Sequence, residues 1–342
     1  MNSLRYCLIG CGRVSPSHIA AARDHRLSIV ALCDVNPNAV TENLSGAGVD
    51  HISIYKNYQI MLKEVKPQLV AIATPSGLHA QMALDCLAAG AHVIIEKPMA
   101  MHMADAAKIA ETAQKNDLIV GVSLQNRFNP AVLELRRAIE NGRFGTIYGG
   151  SAQLLWHRGE DYYGSASWRG TKALDGGAMM NQGIHSIDLL NWMMGGKPAQ
   201  VKTFRATLGR NIESEDLGMA LLRYPSGALA SITCTTLAHA DDATIEVFGE
   251  RGHVRLGGMG HTVNIWRFDD NIPGEEEAMR RRFCENPEHV YGDGHSLFYA
   301  DVMRAIATGG QPLVNAQEGS HALEIILTAY EQNVSRETIG EK

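Results

Sequence analysis

The sequence lacks the long apolar run of a membrane protein. Of its 342 residues 45% are hydrophobic, yet the apolar stretches fall well short of the ~20 residues that a membrane-spanning helix needs. The first residues lead into a strand pattern without signal-peptide features. Basic residues are not in excess either, since the formal net charge is −6, which argues against a general nucleic-acid binder but not against a local basic pocket. We therefore expect a globular protein with neither membrane nor nucleic acid as a partner.

Cysteine is sparse and unpatterned. The six cysteines follow neither a disulfide-framework spacing nor a metal-ligand spacing, and Cys7, Cys11, Cys33 and Cys234 lie in apolar or strand-like segments. We interpret them as reduced thiols in a cytoplasmic protein. Because no His, Cys and carboxylate cluster stands at metal spacing, we expect a mechanism without a metal.

Strand and helix patterns alternate through residues 1–123. Residues 6–9 form an apolar strand pattern that runs into the loop Gly10-Cys11-Gly12-Arg13-Val14-Ser15 and then into a helix. Gly10 permits a tight turn, and Gly12 lets the backbone approach a pyrophosphate at the helix N-terminus. Ser15, a small residue, stands where the dinucleotide pattern has its third glycine. Gly-x-Gly pairs also occur in ordinary turns, so the flanking strand and helix carry this prediction.

The second strand ends at Asp34, about 20 residues after the glycines, as the dinucleotide pattern requires. A carboxylate there accepts hydrogen bonds from both ribose hydroxyls and repels a 2′-phosphate. Residues 35–37 contain no Arg or Lys to bind such a phosphate. The sequence therefore predicts NAD rather than NADP, although Asp34 is also suited to cap a helix near Pro37.

Two further strands end in polar residues. The strand at 69–73 is followed by Thr74-Pro75 and His79, and the apolar run at 93–95 by Glu96-Lys97-Pro98. Pro98 lacks an N–H and restricts Lys97 to an extended backbone, so the strand stops there. The carboxyl edge of a parallel sheet is where ligands of open α/β folds bind. The plain alternatives are a solvated surface lysine and a histidine in the first turn of a helix.

The second half of the chain has strand patterns with hairpin turns, which predict an open, largely antiparallel sheet. The boundary lies near residues 123–125, giving domains 1–123 and 124–342. The acidic, Pro-containing segment 269–288 is expected to be a surface loop, and helices at 296–308 and 318–332 close the chain.

Polar residues in this half gather around 168–188. Asn181, His185 and Asp188 stand at i, i+4 and i+7, so on a helix they share one face. A lone histidine is more often a hydrogen-bonded core residue, but a polar stripe on an otherwise apolar helix favours a general base. Arg127 and Arg169 are candidates to pair with an anionic substrate, with surface solvation as the alternative.

The motifs Gly10-x-Gly12-x-x-Ser15, Asp34, Thr74-Pro75-x-x-x-His79 and Glu96-Lys97-Pro98 resemble those of the Gfo/Idh/MocA oxidoreductases over nearly the whole chain. The resemblance implies an α/β protein, in which an N-terminal Rossmann domain precedes an α+β domain whose terminal helices pack back on the first. It implies that Lys97 lies beside the nicotinamide and the reacting carbon, and that His185 is the catalytic histidine. The expected NAD contacts are Gly10, Gly12, Arg13, Val14, Asp34, Thr74, Pro75, His79, Glu96, Lys97 and Gln125.

Most family dehydrogenases carry Asp where this chain has Asn181. The motif Asp175-Gly-Gly-Ala-x-Met-Asn181-Gln182, together with segments 125–127, 162–171 and 208–216, resembles the UDP-N-acetyl-glucosaminuronate 3-dehydrogenases of surface-polysaccharide synthesis. An amide at 181 suits a substrate that already carries negative charge. The expected substrate contacts are Arg127, Tyr163, Trp168, Arg169, Thr171, Asn181 and His185.

The resulting hypothesis is NAD-dependent oxidation at C3 of a nucleotide-linked sugar. His185 takes the hydroxyl proton while the C3 hydrogen leaves as hydride, Lys97 stabilises the developing negative charge on oxygen, and Asn181 orients the sugar. The alternatives are an inositol or simple-sugar dehydrogenase and a non-catalytic NAD-binding regulatory protein. Because an open sheet needs covering and members of the family pair these sheets, we also expect a homo-oligomer, a dimer or a tetramer.

Overall fold

The computed structural model describes residues 3–49, 51–284 and 294–332. Its first part is a six-stranded sheet in the order β3-β2-β1-β4-β5-β6, with every pairing parallel. Its central strands are buried on both faces, which explains their continuous apolar sequence. The strands are β1 (Arg5–Ile9), β2 (Ser28–Cys33), β3 (Ser53–Tyr55), β4 (Leu69–Ile72), β5 (His92–Ile95) and β6 (Val120–Val122). The helices between them are α1 (Ser15–Asp24), α2 (Asn38–Leu44), α3 (Tyr58–Val65), α4 (His79–Ala88) and α5 (Met103–Lys115).

The second part is a seven-stranded sheet in the order β13-β12-β11-β7-β10-β9-β8. The pairing of β7 with β10 is parallel and the other pairings are antiparallel, so the prediction of a largely antiparallel sheet is confirmed. The elements are α6 (Pro130–Glu140), β7 (Ile147–His157), α7 (Glu160–Gly164), α8 (Ile184–Met193), β8 (Gln200–Ala206), β9 (Leu217–Arg223), β10 (Leu229–Thr235), β11 (Leu237–Gly249), β12 (Gly252–Gly257), β13 (Thr262–Phe268), α9 (Glu275–Arg282), α10 (Gly294–Thr308) and α11 (Ala316–Glu331).

The two faces of this sheet differ in burial. Residues alternate along β9, with Ala220 and Leu222 buried on one face and Met219 and Leu221 exposed on the other. The inner face packs on α8, since Gly150 of β7 lies against Leu190. The outer face carries a row of exposed apolar side chains that includes Phe204, Met219, Leu221 and Leu229.

Helices α10 and α11 pack back on the first sheet, as the resemblance implied. Tyr299 of α10 and Tyr6 of β1 share a hydrogen bond of 2.9 Å between their hydroxyls. The Val122 N–H of β6 donates to the Val314 carbonyl at 2.9 Å. Within the described residues no helix is long and apolar enough to cross a bilayer, and all six cysteines are free.

The expectation of a surface loop at 269–288 is wrong for residues 275–282, which form α9; residues 285–288 lie outside the described part. The helix carries Glu275, Glu276 and Glu277 in its first turn and arginines in its last, which suits the helix dipole. Arg143 anchors it with hydrogen bonds of 2.7 Å to Glu275. That long-range ion pair left no signal in the local composition.

The prediction that Arg127 binds substrate is also wrong. Its side chain is 1% exposed, because the whole turn at 125–128 is buried. Its guanidinium donates to both carboxylate oxygens of Asp188 at 2.7 and 2.8 Å and to Glu318 at 2.8 Å. Removing one partner of such a buried pair costs about 3–5 kcal/mol of stability, because the other charge is left uncompensated. Arg127 therefore ties α8 and α11 together and has no donor fork free for a ligand.

Candidate functional site

The glycine loop and Asp34 form the first wall of the site. Gly10 has φ of +92°, and a Cβ there would lie 2.4 Å from the Ala73 carbonyl oxygen, so only glycine fits this turn. A Cβ on Gly12 would meet nothing within 4 Å, which leaves open space above the loop. Arg13 is exposed and Val14 is half-buried just before α1 begins at Ser15. The loop thus leaves room for a pyrophosphate where the dinucleotide pattern predicted one.

The Asp34 carboxylate is fixed beside this loop. Its oxygens accept the N–H groups of Cys11 and Asn36, each at 2.8 Å. It does not cap α2, whose N-terminal neighbour is Pro37. The side chain is half-buried, so its remaining lone pairs face the cleft and suit two ribose hydroxyls. This loop therefore has the acceptor that the ribose of NAD requires.

His79 has a structural position. It is buried, with Nδ1 2.7 Å from the Pro98 carbonyl oxygen and Nε2 2.8 Å from the Thr74 carbonyl oxygen. Both nitrogens are thus engaged with backbone, which corrects the prediction that His79 touches the cofactor. The residue joins the loop after β4 to the loop after β5, and it holds the half-buried Thr74 and Pro75 at the cleft.

Lys97 reaches from the first part of the chain to the second. Strand β5 ends at Ile95, and the Lys97–Pro98 peptide bond is cis. Nζ donates to the Asn181 backbone oxygen at 2.7 Å and to its Oδ1 at 3.3 Å. An ammonium has three protons, so one donor remains for a ligand. Burial lowers the pKa of Lys97, although the charges of Glu96 and Asp175 act to raise it. The alternative of a solvated surface lysine does not hold.

Asn181 is held by Asp175, a residue whose role sequence reasoning missed. The amide Nδ2 of Asn181 donates to Asp175, whose other carboxylate oxygen accepts the Gly170 N–H at 2.6 Å. This fixes the Asn181 Oδ1 toward Lys97. Burial raises the pKa of Asp175. Asp175 is part of the motif that also contains Asn181, but the spacing of the two residues does not predict that their side chains are in contact.

His185 lies in the same cleft and is 94% buried, with 6% of its surface exposed. Its Nδ1 is buried and has no hydrogen-bond partner among the described residues. Burial, together with the positive charge of Lys97, lowers the pKa of His185 from 6.5 to about 3. The imidazole is therefore neutral over the whole physiological range, and its ring lacks the protein partner that a purely structural histidine has.

The predicted common face of Asn181, His185 and Asp188 does not exist. A π-helical turn, Ala178–Gln182, precedes α8, and Gly183 separates the two. Asn181 and His185 face the cleft region around Lys97, whereas Asp188 pairs with Arg127 in the interior. Gln125, an expected cofactor contact, is buried, and its Oε1 has no partner among the described residues. Its contact with a cofactor stays a prediction.

The Glu96 side chain points into the interior, and the contact of this residue with a cofactor stays a prediction. It is buried; Oε1 accepts a hydrogen bond from His18 Nε2 at 3.1 Å and lies 3.5 Å from His295 Nε2. His18 Nδ1 lies 2.7 Å from the Tyr299 hydroxyl. Burial acts to raise the pKa of Glu96, but the hydrogen bonds from His18 and His295 outweigh it and hold that pKa well below its usual range. Glu96 is thus an anion directly behind Lys97.

The side chains of His18, Glu96 and His295 are also the set in the described chain whose ligand atoms could hold a metal ion, since these atoms all lie within 4.8 Å of one another. They come from residues far apart in sequence, so no spacing rule revealed them. The two histidines compensate the Glu96 charge by hydrogen bonding, and a mechanism without a metal stays a prediction.

The segment 162–171 forms the rim of the cleft. Tyr163 donates to or accepts from Thr236 Oγ1 at 3.0 Å, and burial raises its pKa to about 12. The Thr171 hydroxyl donates to the Trp168 carbonyl within the same turn, so that hydroxyl holds the loop. Arg169 is half-buried and donates through Nε to Ser165 Oγ at 2.9 Å. Its two terminal nitrogens have no acceptor among the described residues, which leaves them open to an anion.

Family models match both parts of the chain. Residues 4–124 match the oxidoreductase family with an NAD-binding Rossmann fold, and residues 132–255 match the Gfo/Idh/MocA C-terminal domain. The chain belongs to the Gfo/Idh/MocA family of oxidoreductases, and its cofactor is NAD.

The chain is similar over most of its length to proteins that act on sugars. D-glucoside 3-dehydrogenase of Escherichia coli is 31% identical over 326 residues, which cover 91% of this chain and 85% of that protein. Crystal structures of WlbA dehydrogenases from Bordetella pertussis and Chromobacterium violaceum, both with NADH and UDP-GlcNAcA, are 35% and 34% identical, with TM-scores of 0.87 and 0.86. Each match covers 96% of this chain and 94% or 93% of the other.

This chain is accordingly an NAD-dependent oxidoreductase of the sugar dehydrogenase type. The alternative of a non-catalytic regulatory protein is therefore set aside.

The position of Asp34 predicts cofactor preference. Replacing Asp34 by Asn removes the negative charge but keeps an acceptor for the loop, and NAD should lose roughly 10–100-fold in affinity, the equivalent of about 1.5–3 kcal/mol for hydrogen bonds to a charged group. NADP should lose less or gain. Fluorescence titration of both cofactors measures this, with Glu42→Gln on the exposed face of α2 as the control. An unchanged NAD/NADP ratio would contradict the role of Asp34.

Proposed function

We propose that this enzyme oxidises the C3 hydroxyl of a nucleotide-linked sugar, most specifically UDP-N-acetyl-glucosaminuronate. The observation that carries the catalytic part is the pairing of Lys97, with one donor left, and His185, a neutral imidazole in the same cleft whose ring has no hydrogen bond to the described residues. A sugar hydroxyl supplies a hydrogen-bond partner to both residues, because its oxygen accepts from the Lys97 ammonium and its proton is donated to the His185 imidazole.

In this mechanism each residue has one task. NAD⁺, when bound, supplies the hydride acceptor. His185 is neutral and takes the hydroxyl proton, while Lys97 donates to the same oxygen and stabilises the negative charge that develops on it. Asn181 is a positioning residue, because its carbonyl and amide oxygens fix the Lys97 ammonium. Asp175 in turn holds the Asn181 amide.

The nucleotide-sugar part is supported by charge. Arg169 offers two open guanidinium nitrogens at the rim, and residue 181 is an amide that adds no negative charge of its own. The two WlbA structures similar to this chain contain UDP-GlcNAcA. The second candidate, a simple-sugar or inositol dehydrogenase, is favoured by the similarity to D-glucoside 3-dehydrogenase.

Two further proposals accompany this one. The exposed apolar row on the outer sheet face suits burial against a second copy, so we expect a dimer or tetramer. A monomeric mass by light scattering at micromolar concentration would contradict this expectation.

The division of the chain into domains 1–123 and 124–342 is likewise a proposal, with the break after β6.

The catalytic pair predicts a pH profile. His185 must be neutral to act as the base, and its pKa lies below 6.5, so kcat/KM should fall only well below pH 6.5. Lys97 must keep its proton, and its pKa lies below 10.5, so the decline of kcat/KM at alkaline pH should start below pH 10.5. His185→Ala should lower kcat by roughly 10²–10⁴-fold with NAD affinity within a few-fold, and Lys97→Arg should move the alkaline decline upward.

Exposed His51→Ala is the matched control and should leave kcat unchanged. A near-normal kcat in His185→Ala would place the base elsewhere, with Tyr162 or Tyr163 as the next candidates.

Substrate choice predicts a charge dependence. Wild type should have its highest kcat/KM with UDP-N-acetyl-glucosaminuronate, then UDP-N-acetylglucosamine, and lower values with glucose and myo-inositol. Arg169→Gln should raise KM for the uronate roughly 10–100-fold, since a charge-assisted hydrogen bond contributes about 1.5–3 kcal/mol, and leave the neutral sugars unaffected. Arg137→Gln, on an exposed helix surface, is the control. Best turnover of glucose or inositol would establish the second candidate instead.

A further inference from the structure

Two arginines and three aromatic rings stack along the rim of the cleft. The Arg169 guanidinium lies 4.2 Å from the ring centre of Tyr162 and 4.6 Å from that of Trp168. The Arg158 guanidinium lies 4.5 Å from the ring centre of Trp156 and 5.5 Å from that of Tyr162. Tyr162 thus stands between the two arginines. We call these five residues, Trp156, Arg158, Tyr162, Trp168 and Arg169, the rim stack.

The rim stack has an inner and an outer end. Gln182, next to Asn181, donates to the Tyr162 hydroxyl at 2.7 Å, which joins the stack to the catalytic turn. Arg169 is close enough to Lys97 for its charge to act on that ammonium. Arg158, at the end of β7 and beyond Tyr162, forms the outer end. A ligand with its reacting carbon at Lys97 and a long charged substituent would run from Arg169 toward Arg158.

Arg158 is held in place by some of its guanidinium donors, and others remain unpaired. Nη1 donates to the His157 carbonyl at 2.6 Å and lies 3.4 Å from an Asp241 carboxylate oxygen. Nε and Nη2 donate to no acceptor among the described residues. Its side chain is only 16% exposed, because the Trp156 and Tyr162 rings flank it. A planar guanidinium fixed between aromatic rings loses little freedom on binding, and its open edge matches two phosphate oxygens.

We propose that the outer end of the rim stack is the diphosphate subsite of this enzyme and that Arg158 is its anchor. The inference rests on the proposed function and extends it, since it assigns the uronate carboxylate to Arg169 and the nucleoside diphosphate to Arg158. In a nucleotide uronate the carboxylate is attached to C5 of the sugar ring and the diphosphate to C1, and the diphosphate with its nucleoside extends further from the reacting C3 than the carboxylate does. The order of charges along the ligand therefore matches the order of arginines along the stack.

Asp241 sets the strength of this subsite. Its carboxylate is half-exposed and also accepts the His157 N–H at 2.7 Å. It neutralises part of the Arg158 charge and repels an incoming phosphate. Asp241→Asn keeps an acceptor for His157 and removes the negative charge. That variant should bind a diphosphate more tightly than wild type, an outcome that a damaged fold does not produce.

The test measures binding of UDP, by calorimetry, to the full chain saturated with NAD. Arg158→Gln should raise the dissociation constant of UDP roughly 10–100-fold, the loss of a charge-assisted contact of about 1.5–3 kcal/mol. Arg169→Gln should change UDP affinity less than tenfold and weaken the uronate-bearing nucleotide sugar further. Asp241→Asn should lower the dissociation constant several-fold. Arg267→Gln, a 72% exposed arginine on β13, should change nothing.

The outcomes separate this inference from the proposed function. Wild-type UDP affinity in Arg158→Gln, weaker binding in Asp241→Asn, an equal loss in Arg267→Gln, or no binding of UDP to wild type would each overturn the subsite. If UDP binding depends on Arg158 but UDP-N-acetyl-glucosaminuronate is not turned over, the subsite stands and the proposed substrate fails. If that sugar is turned over with unchanged KM in Arg158→Gln, the proposed function stands and the subsite fails.

Discussion

The hydrogen bonds from the Lys97 ammonium to Asn181 are the constraint on which the site depends. They cross from the loop after β5 to the turn before α8, so they set the distance between the half of the chain that binds NAD and the half that carries His185. An amine withdrawn from water needs acceptors. Asn181 supplies them because Asp175 fixes its amide, and Asp175 in turn is fixed by the Gly170 N–H. Moving any of these groups would turn the remaining Lys97 donor away from the cleft.

Behind this contact the interior contains two clusters of buried charged side chains that hydrogen-bond to one another. Glu96 is compensated by His18 and His295, and Arg127 by Asp188 and Glu318. The Glu96 cluster joins segments from both parts of the chain, whereas the Arg127 cluster joins α8 and α11 to the turn at 125–128 within the second part. Buried ion pairs contribute little to net stability, but the loss of one partner is costly. Such clusters therefore favour the one arrangement of the surrounding segments in which every charge is paired. The negative charge of Glu96 beside Lys97 also favours the protonated amine that the mechanism needs.

The rim has the opposite character. Arg158 and Arg169 are stacked on aromatic rings, yet several of their donors have no acceptor in the described chain, and the His185 ring has no hydrogen-bond partner there. Native proteins pair nearly all such groups. Charged side chains that are held in place but keep unpaired donors are typical of a site whose remaining hydrogen bonds are made by a ligand.

Features that depend only on neighbouring residues could be predicted from the sequence. The turn at Gly10, the carboxylate at the end of β2, the position of Lys97 after β5 and the alternation along β9 all follow from local backbone rules, and so does the fold class. Tertiary structure decided what each polar side chain touches. Arg127, Glu96 and His79 sit in motifs that resemble ligand-binding segments, but their partners Asp188, His295 and Pro98 come from other elements. Asp175 gained its contact with Asn181 in the same way, and the role proposed for Arg158 rests on contacts of this kind. The reason is physical: a charged side chain has its function set by whichever charge or acceptor packing brings within about 3 Å, and spacing along the chain does not encode that contact.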